Sequence, residues 1–210
     1  ASALAGVAFA NAFLGINHSL SHKLGGWFHI PHGTANALLA PYVCKFNAQR
    51  HPYHMGTFSQ YKYPQAFERY VELGELIGVK GKNDEETFKN WIKALEQLKA
   101  DIDIPPTICD WLCEAHPEKS AEDWEKEFLA AVDQMSEWAF HDACTGANPV
   151  YPMIGELKQV YLRAFYGDDK FIEKYGDVLC LEINNPTDTH AAYPLGLTAE
   201  IGEDKVGGFK

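Results

Sequence analysis

Four of the nine histidines, His18, His22, His29 and His32, fall within fifteen consecutive positions. Neutral imidazole is the commonest protein ligand for first-row divalent metals, so this density points to metal chemistry. His18 and His22 stand at i, i+4 and share one face of a helix, where they can clamp a single ion. A zinc-protease version of that pair needs Glu directly after the first His. Ser19 stands there instead, so the zinc-protease version fails, and any other metal hydrolase would need an added carboxylate base beside the pair. Gly25 and Gly33 allow close backbone approach around the segment, and Pro31 restricts the residue before it, which helps hold His32 in place. A helix opening near Gly33 turns its N-terminal amides toward the same region and favours anionic oxygen there.

Helices must position these side chains. Residues 3–21 are apolar nearly all round, the pattern of one buried helix, with Gly6 and Gly15 at points of close packing. Residues 33–49 predict a second helix, bent or restarted at Pro41. Pro64 suits the first position of a third, stopped by Gly78. Asn83 and Asp84 cap a fourth, whose apolar Phe88, Trp91, Ile92, Leu95 and Leu98 keep a 3.6-residue period. Pro105 and Pro106 open a short helix through Leu112, and Ser120 with Asp123 forms a capping box before Trp124, Phe128, Val132, Met135 and Trp138. A loop at 146–152 precedes a last helix that ends at Gly167. Beyond it the periodicity is lost, apart from a short strand option at 178–183. The expectation is an all-α fold: a body of about seven helices over 1–167, then an irregular tail, 168–210, of unknown role.

A formal charge of −11 argues against a nucleic-acid or anionic-membrane surface. Much of it is local, with fifteen carboxylates against seven lysines between residues 80 and 140, as on solvated helix faces. The longest apolar run is interrupted by Asn11 and falls short of the roughly 20 residues a bilayer needs. It has neither the basic flank nor the cleavage site of a signal peptide. The five cysteines form no C-x-x-C pair, which predicts a reduced, cytoplasmic protein. Cys109 and Cys113, at i, i+4, are read as buried thiols. The chain begins at Ala1, without Met, inside a helical pattern, and is expected to be a piece of a longer polypeptide.

The histidine segment runs G-x-x-H-x-x-x-H-x-x-G-x(5)-P-H-G-x-x-N-A from Gly15 to Ala37. It resembles the metal-binding segment of the iron-containing (group III) alcohol dehydrogenases, most closely the alcohol dehydrogenase region of the bifunctional aldehyde-alcohol dehydrogenases. A second stretch, Asp142-Ala-Cys144-Thr-Gly146-Ala-Asn148-Pro149-Val150-Tyr-Pro152, is similar to a D-x-C-T-G-x-N-P-R-Y-P run of those enzymes, with Val150 where they usually have Arg. Residues 58–66 also look like the family, and the likeness covers roughly 1–167. It implies the helical metal-binding domain of the dehydroquinate synthase-like fold, with His18 and His32 as metal ligands for Fe2+, or Zn2+. It also implies His22 beside the nicotinamide of NAD in proton relay, and Cys144 close to the same ring. The alternative for Cys144 is a buried structural thiol, and His29, which matches no family role, is read as a core or loop histidine.

The activity so implied is metal-assisted hydride transfer between acetaldehyde and ethanol, in a small-molecule enzyme that self-associates. In the family a dinucleotide-binding domain precedes this one and supplies an aspartate and a histidine to the metal. No G-x-G-x-x-G turn after a strand occurs here. A competing reading makes the segment an assembly module for homo-oligomers or helical filaments. The aromatic helices around Trp91 and Trp124 fit either that surface or an ordinary core.

Overall fold

Three of these helices begin where a side chain satisfies a free amide of the first turn. The structure, a computed structural model, describes residues 2–50, 65–180 and 193–194. Asn83 opens α5 (Asp84–Asp101) by accepting from the Glu86 amide at 2.8 Å, and Glu86 returns its carboxylate to the Lys82 amide at 2.6 Å. Thr107 and Ser120 cap α6 (Ile108–Ala115) and α7 (Ala121–Phe140) in the same way, through the Asp110 and Asp123 amides. Asn83→Ala is expected to cost about 1 kcal/mol. A denaturant midpoint equal to the parent's would show that the first turn of α5 finds other partners.

The fold is all-helical, apart from a two-residue antiparallel ladder between β1 (Val178–Cys180) and β2 (Tyr193–Pro194). Its remaining helices are α1 (Ser2–Ala12), α2 (Ile16–Phe28), α3 (His32–Asn47), α4 (Ala66–Leu76), α8 (Ile154–Tyr166) and α9 (Asp168–Tyr175). That makes nine α-helices among the described residues, where periodicity predicts seven. One extra comes from the start of the chain. The single helix expected over 3–21 is two, meeting at 109°. Phe13 is left-handed at φ 63°, and Gly15 sits so close to Asn148 that a Cβ would lie 2.6 Å from its Oδ1. The Ile16 amide then donates to that oxygen, at 3.2 Å, and α2 starts afresh.

The expected burial of that first helix divides accordingly. α2 buries Ile16, Leu20 and Leu24 completely, whereas α1 buries no residue and leaves Leu4 76% and Val7 63% exposed. Apolar character makes a helix want cover without saying what covers it, and the described residues bury no side chain of α1. Pro41 lies inside α3, which runs on without a break. The other extra helix is α9, beyond the last periodic segment. Left-handed Gly167, at φ 82°, turns the chain out of α8 and straight into it, and Phe171 is fully buried. Pro64, residues 58–64 of the 58–66 stretch and most of the region after Cys180 lie outside the described residues.

The core sits among α2, α3, α7 and α8, closed by α6 and α9. Phe128 of α7 stacks against Phe28 of α2 and Phe165 of α8, with ring centroids 5.5 and 4.3 Å away. Tyr161, fully buried, donates its hydroxyl to the Leu20 carbonyl at 2.8 Å and ties α8 to α2. α4 and α5 pair beside this core, and Gly74 lets α4 approach Thr87 so closely that a Cβ would stand 3.0 Å from its Cγ2. No single helix among the described residues is long and apolar enough to cross a membrane.

Candidate metal and proton-transfer site

One turn of α2 separates His18 from His22, and His32 is the first residue of α3. The antiparallel return at 29–31, with His29 left-handed at φ 55° as the C-cap of α2, brings the two helix ends together. The three rings form a triangle, with centroids 5.2 Å apart for His18 and His32, 5.6 Å for His22 and His32, and 6.2 Å for His18 and His22. His29 points elsewhere, into a cleft with Trp27, His116 and Trp124. The resemblance had set three of the four histidines apart, and those three are the ones that meet.

Hydrogen bonds assign the free lone pairs. Asn17 Nδ2 donates to Asn36 Oδ1 at 2.9 Å, which leaves Asn36 Nδ2 to donate to His32 Nε2 at 3.0 Å and to the His32 carbonyl. His32 Nε2 is therefore an acceptor, and the proton of the neutral ring sits on Nδ1, facing Ser21 Oγ at 3.5 Å. Burial, with His32 and His22 as neighbours, lowers the pKa of His18 against a weaker opposing pull from Asp142. A neutral imidazole is the form that ligates a metal. His18 and His32 would hold a divalent ion as neutral imidazoles, His32 through the Nε2 lone pair that Asn36 Nδ2 occupies at 3.0 Å and would have to release. A catalytic metal uses three or more protein ligands, so others must join them.

The loop after α7 supplies the opposite wall. Asp142 Oδ2 accepts from Lys23 Nζ at 2.7 Å and pairs with His22 Nδ1 at 3.1 Å, and Oδ1 accepts from the Cys144 amide at 3.0 Å. Burial alone would raise this carboxyl. The Lys23 ammonium, the Cys144 amide and His22 outweigh it and hold Asp142 well below the ordinary carboxylate range. The Cys144 thiol is buried, and burial with the adjacent Asp142 charge pushes its pKa up, so it stays protonated. His22, Asp142 and Cys144 have donor atoms within 4.8 Å of one another.

Asn148 anchors the loop. Its Oδ1 accepts from the Ile16 amide and from Asn47 Nδ2, and its Nδ2 donates to Asn47 Oδ1 at 2.6 Å and to the Val150 carbonyl at 2.7 Å. A second buried tie runs from Thr145 Oγ1 to Ser19 Oγ at 2.7 Å. Val150, where the resemblance led to an expectation of Arg, is a core residue with 3% exposure, and its side chain offers no charge to anchor anything. Lys23, Asn36, Asp142 and Asn148 were given no role on sequence grounds, although all four lie inside the two motif stretches. The signal for them was position within a motif, and only the folded chain shows whom each one meets.

Residues 1–165 match the profile of the Fe-containing alcohol dehydrogenase family, C-terminal. The chain is 48% identical, over 171 residues, to the bifunctional aldehyde-alcohol dehydrogenase AdhE of Escherichia coli (strain K12), which covers 80% of this chain and 18% of that protein. It is 37% identical over 169 residues to the NADPH-dependent butanol dehydrogenase of Clostridium saccharobutylicum, covering 80% of this chain and 37% of that one. The chain therefore spans less than a fifth of the length of AdhE. Among solved structures, the iron-containing alcohol dehydrogenase of Thermococcus thioreducens superposes with a TM-score of 0.58 at 32% identity, over 78% of this chain and 35% of that one. A 1,3-propanediol oxidoreductase does so at 0.59 and 29% identity, over 77% and 35%.

Proposed function

Because this chain belongs to the iron-containing alcohol dehydrogenase family, we propose that it is the C-terminal helical part of an NAD-dependent, iron-activated alcohol dehydrogenase. That enzyme interconverts acetaldehyde and ethanol in the cytoplasm, within a bifunctional polypeptide that takes acetyl-CoA to ethanol. The observation that carries the reading is the convergence of His18, His22 and His32 from two helices onto one small triangle. The likeness to a bifunctional aldehyde-alcohol dehydrogenase supports the substrate and the second activity.

His18 and His32 would hold Fe2+, or Zn2+. When bound, the ion supplies Lewis acidity to the substrate oxygen, and NAD(H) supplies or takes the hydride. His22 works beside them. Its Nδ1 is engaged by Asp142, so Nε2 takes the proton as alcohol is oxidised and returns it as aldehyde is reduced. The protonated Cys144 thiol contributes a weakly polar wall where the nicotinamide would lie.

The test is His22→Ala in the complete enzyme. The kcat for acetaldehyde reduction with NADH is expected to fall about 100-fold while metal per subunit stays at the parental level. Parental kcat would end the proton-relay reading. Turnover of butanal with NADPH but not of acetaldehyde with NADH would end the assignment of substrate and cofactor.

A second role, in assembly of homo-oligomers or filaments, is favoured by α1. Its Leu4, Val7 and Phe9 are all more than half exposed among the described residues. Light scattering that shows a monomeric complete enzyme at micromolar concentration would overturn that role.

A further inference from the structure

His22, Asp142 and Cys144 bring nitrogen, oxygen and sulfur donors within 4.8 Å, the composition of a metal site. The lone pairs of Asp142 argue for a different use. A carboxylate offers about four acceptor sites, and three are taken, by the Lys23 ammonium, the His22 ring and the Cys144 amide. An ion entering here would have to displace an ammonium 2.7 Å from the same oxygen. The carboxylate is occupied, charged and only 12% exposed, with a distinct donor on each side.

This arrangement selects one form of His22. An ionised carboxylate only accepts, so the ring nitrogen facing it must donate, and the proton sits on Nδ1. Nε2 is then left with its lone pair for chemistry. His22 is itself 40% exposed and has no other hydrogen bond to hold its ring among the described residues, while it stacks on His32 at an interplanar angle of 19°. Without Asp142 the ring would be free to turn and to exchange tautomers. We propose that Asp142, held by Lys23 and by the Cys144 amide, is the positioning residue that fixes the orientation and tautomer of His22 for proton transfer. The inference rests on the proton-relay reading of His22, and the two can fail separately.

Asp142→Asn in the complete enzyme isolates this role. If Asn keeps Oδ1 on the Cys144 amide, its amide nitrogen takes the place of Oδ2 and donates to His22 Nδ1. The ring must then carry its proton on Nε2, where it cannot accept another. Either placement of the amide sets its nitrogen against a donor, Lys23 Nζ in this orientation or the Cys144 amide in the flipped one, so the charged, fully anchored acceptor that holds His22 is lost in both. The expected result is a loss of about 10- to 100-fold in kcat, with acetaldehyde KM and metal per subunit unchanged, as for other outer partners of catalytic imidazoles. The double variant His22→Ala/Asp142→Asn should be no slower than His22→Ala alone, because both act through one ring.

Lys23→Met, on a partly exposed side chain, guards against a loop that fails to fold. It should lower kcat by less than about tenfold, again at constant KM. Parental kcat in both Asp142→Asn and Lys23→Met, with His22→Ala slow, would overturn the positioning role. So would independent, multiplicative losses in the double variant. Parental kcat in His22→Ala would instead overturn the relay itself, which is a separate and visible outcome.

Discussion

Replacing His32 by alanine is expected to empty the metal site and abolish turnover together. His32 and His18 are the two imidazoles that the resemblance assigns to the metal, carried on the start of α3 and the first turn of α2 with rings 5.2 Å apart, and an ion would take the His32 Nε2 lone pair from Asn36. Alanine leaves the backbone of α3 intact, since Asn36 still caps the carbonyl of residue 32. What is lost is a ligand from a site that already draws on other residues for its full set. Even an outer partner of a metal ligand is worth about 10- to 100-fold in affinity or activity, so a direct ligand should exceed that. Metal analysis of purified enzyme, alongside acetaldehyde-dependent NADH oxidation, reads both effects. Full occupancy in the His32→Ala enzyme would sink the ligand assignment, whatever its activity.

Phe128→Ala should be the most destabilising single change in the core, costing about 3–5 kcal/mol. The ring has no exposure, lies between Phe28 and Phe165, and meets the edge of Tyr161 at 6.2 Å. Removing it opens a cavity at the point where α2, α7 and α8 meet, which is also the scaffold of the histidine triangle. The loss should therefore appear as a lower midpoint in urea, followed by tryptophan fluorescence. The contrast is Leu98→Ala, at a position 56% exposed, which should stay within about 0.5 kcal/mol of the parent. Equal effects at the two sites would mean that the core is not centred where these aromatic contacts place it.

Leu98 also marks a limit of sequence reading. The 3.6-residue period of α5 put it on the apolar face, yet it is exposed and the neighbouring Lys99 is buried, donating Nζ to the Pro106 carbonyl at 3.0 Å. A hydrophobic period picks a helix and its general face. At a helix end, the passing chain decides which side chain is covered. Burial lowers the Lys99 pKa for the same reason: the cover comes from a linker the period does not contain.

What the sequence determined by itself is the part that depends on neighbours within one or two turns. Asn83 and Ser120 cap their helices as their positions demand, because an N-cap bond closes over three residues. The all-α class follows from repeated helical periods, and the resemblance carried by the motif from Gly15 to Ala37 singled out His18, His22 and His32, three rings that the folded chain sets within 5.2 to 6.2 Å of one another. Only tertiary structure decided the rest. The break between α1 and α2 depends on Asn148, 132 residues away from the Ile16 amide it receives. The form of His22 depends on Asp142, 120 residues away. Phe171 becomes core only because the turn at Gly167 folds α9 back beside α8. Local hydrogen bonds are written in adjacent residues, but a proton's place on a ring is set by whichever donor or acceptor the folded chain brings opposite it.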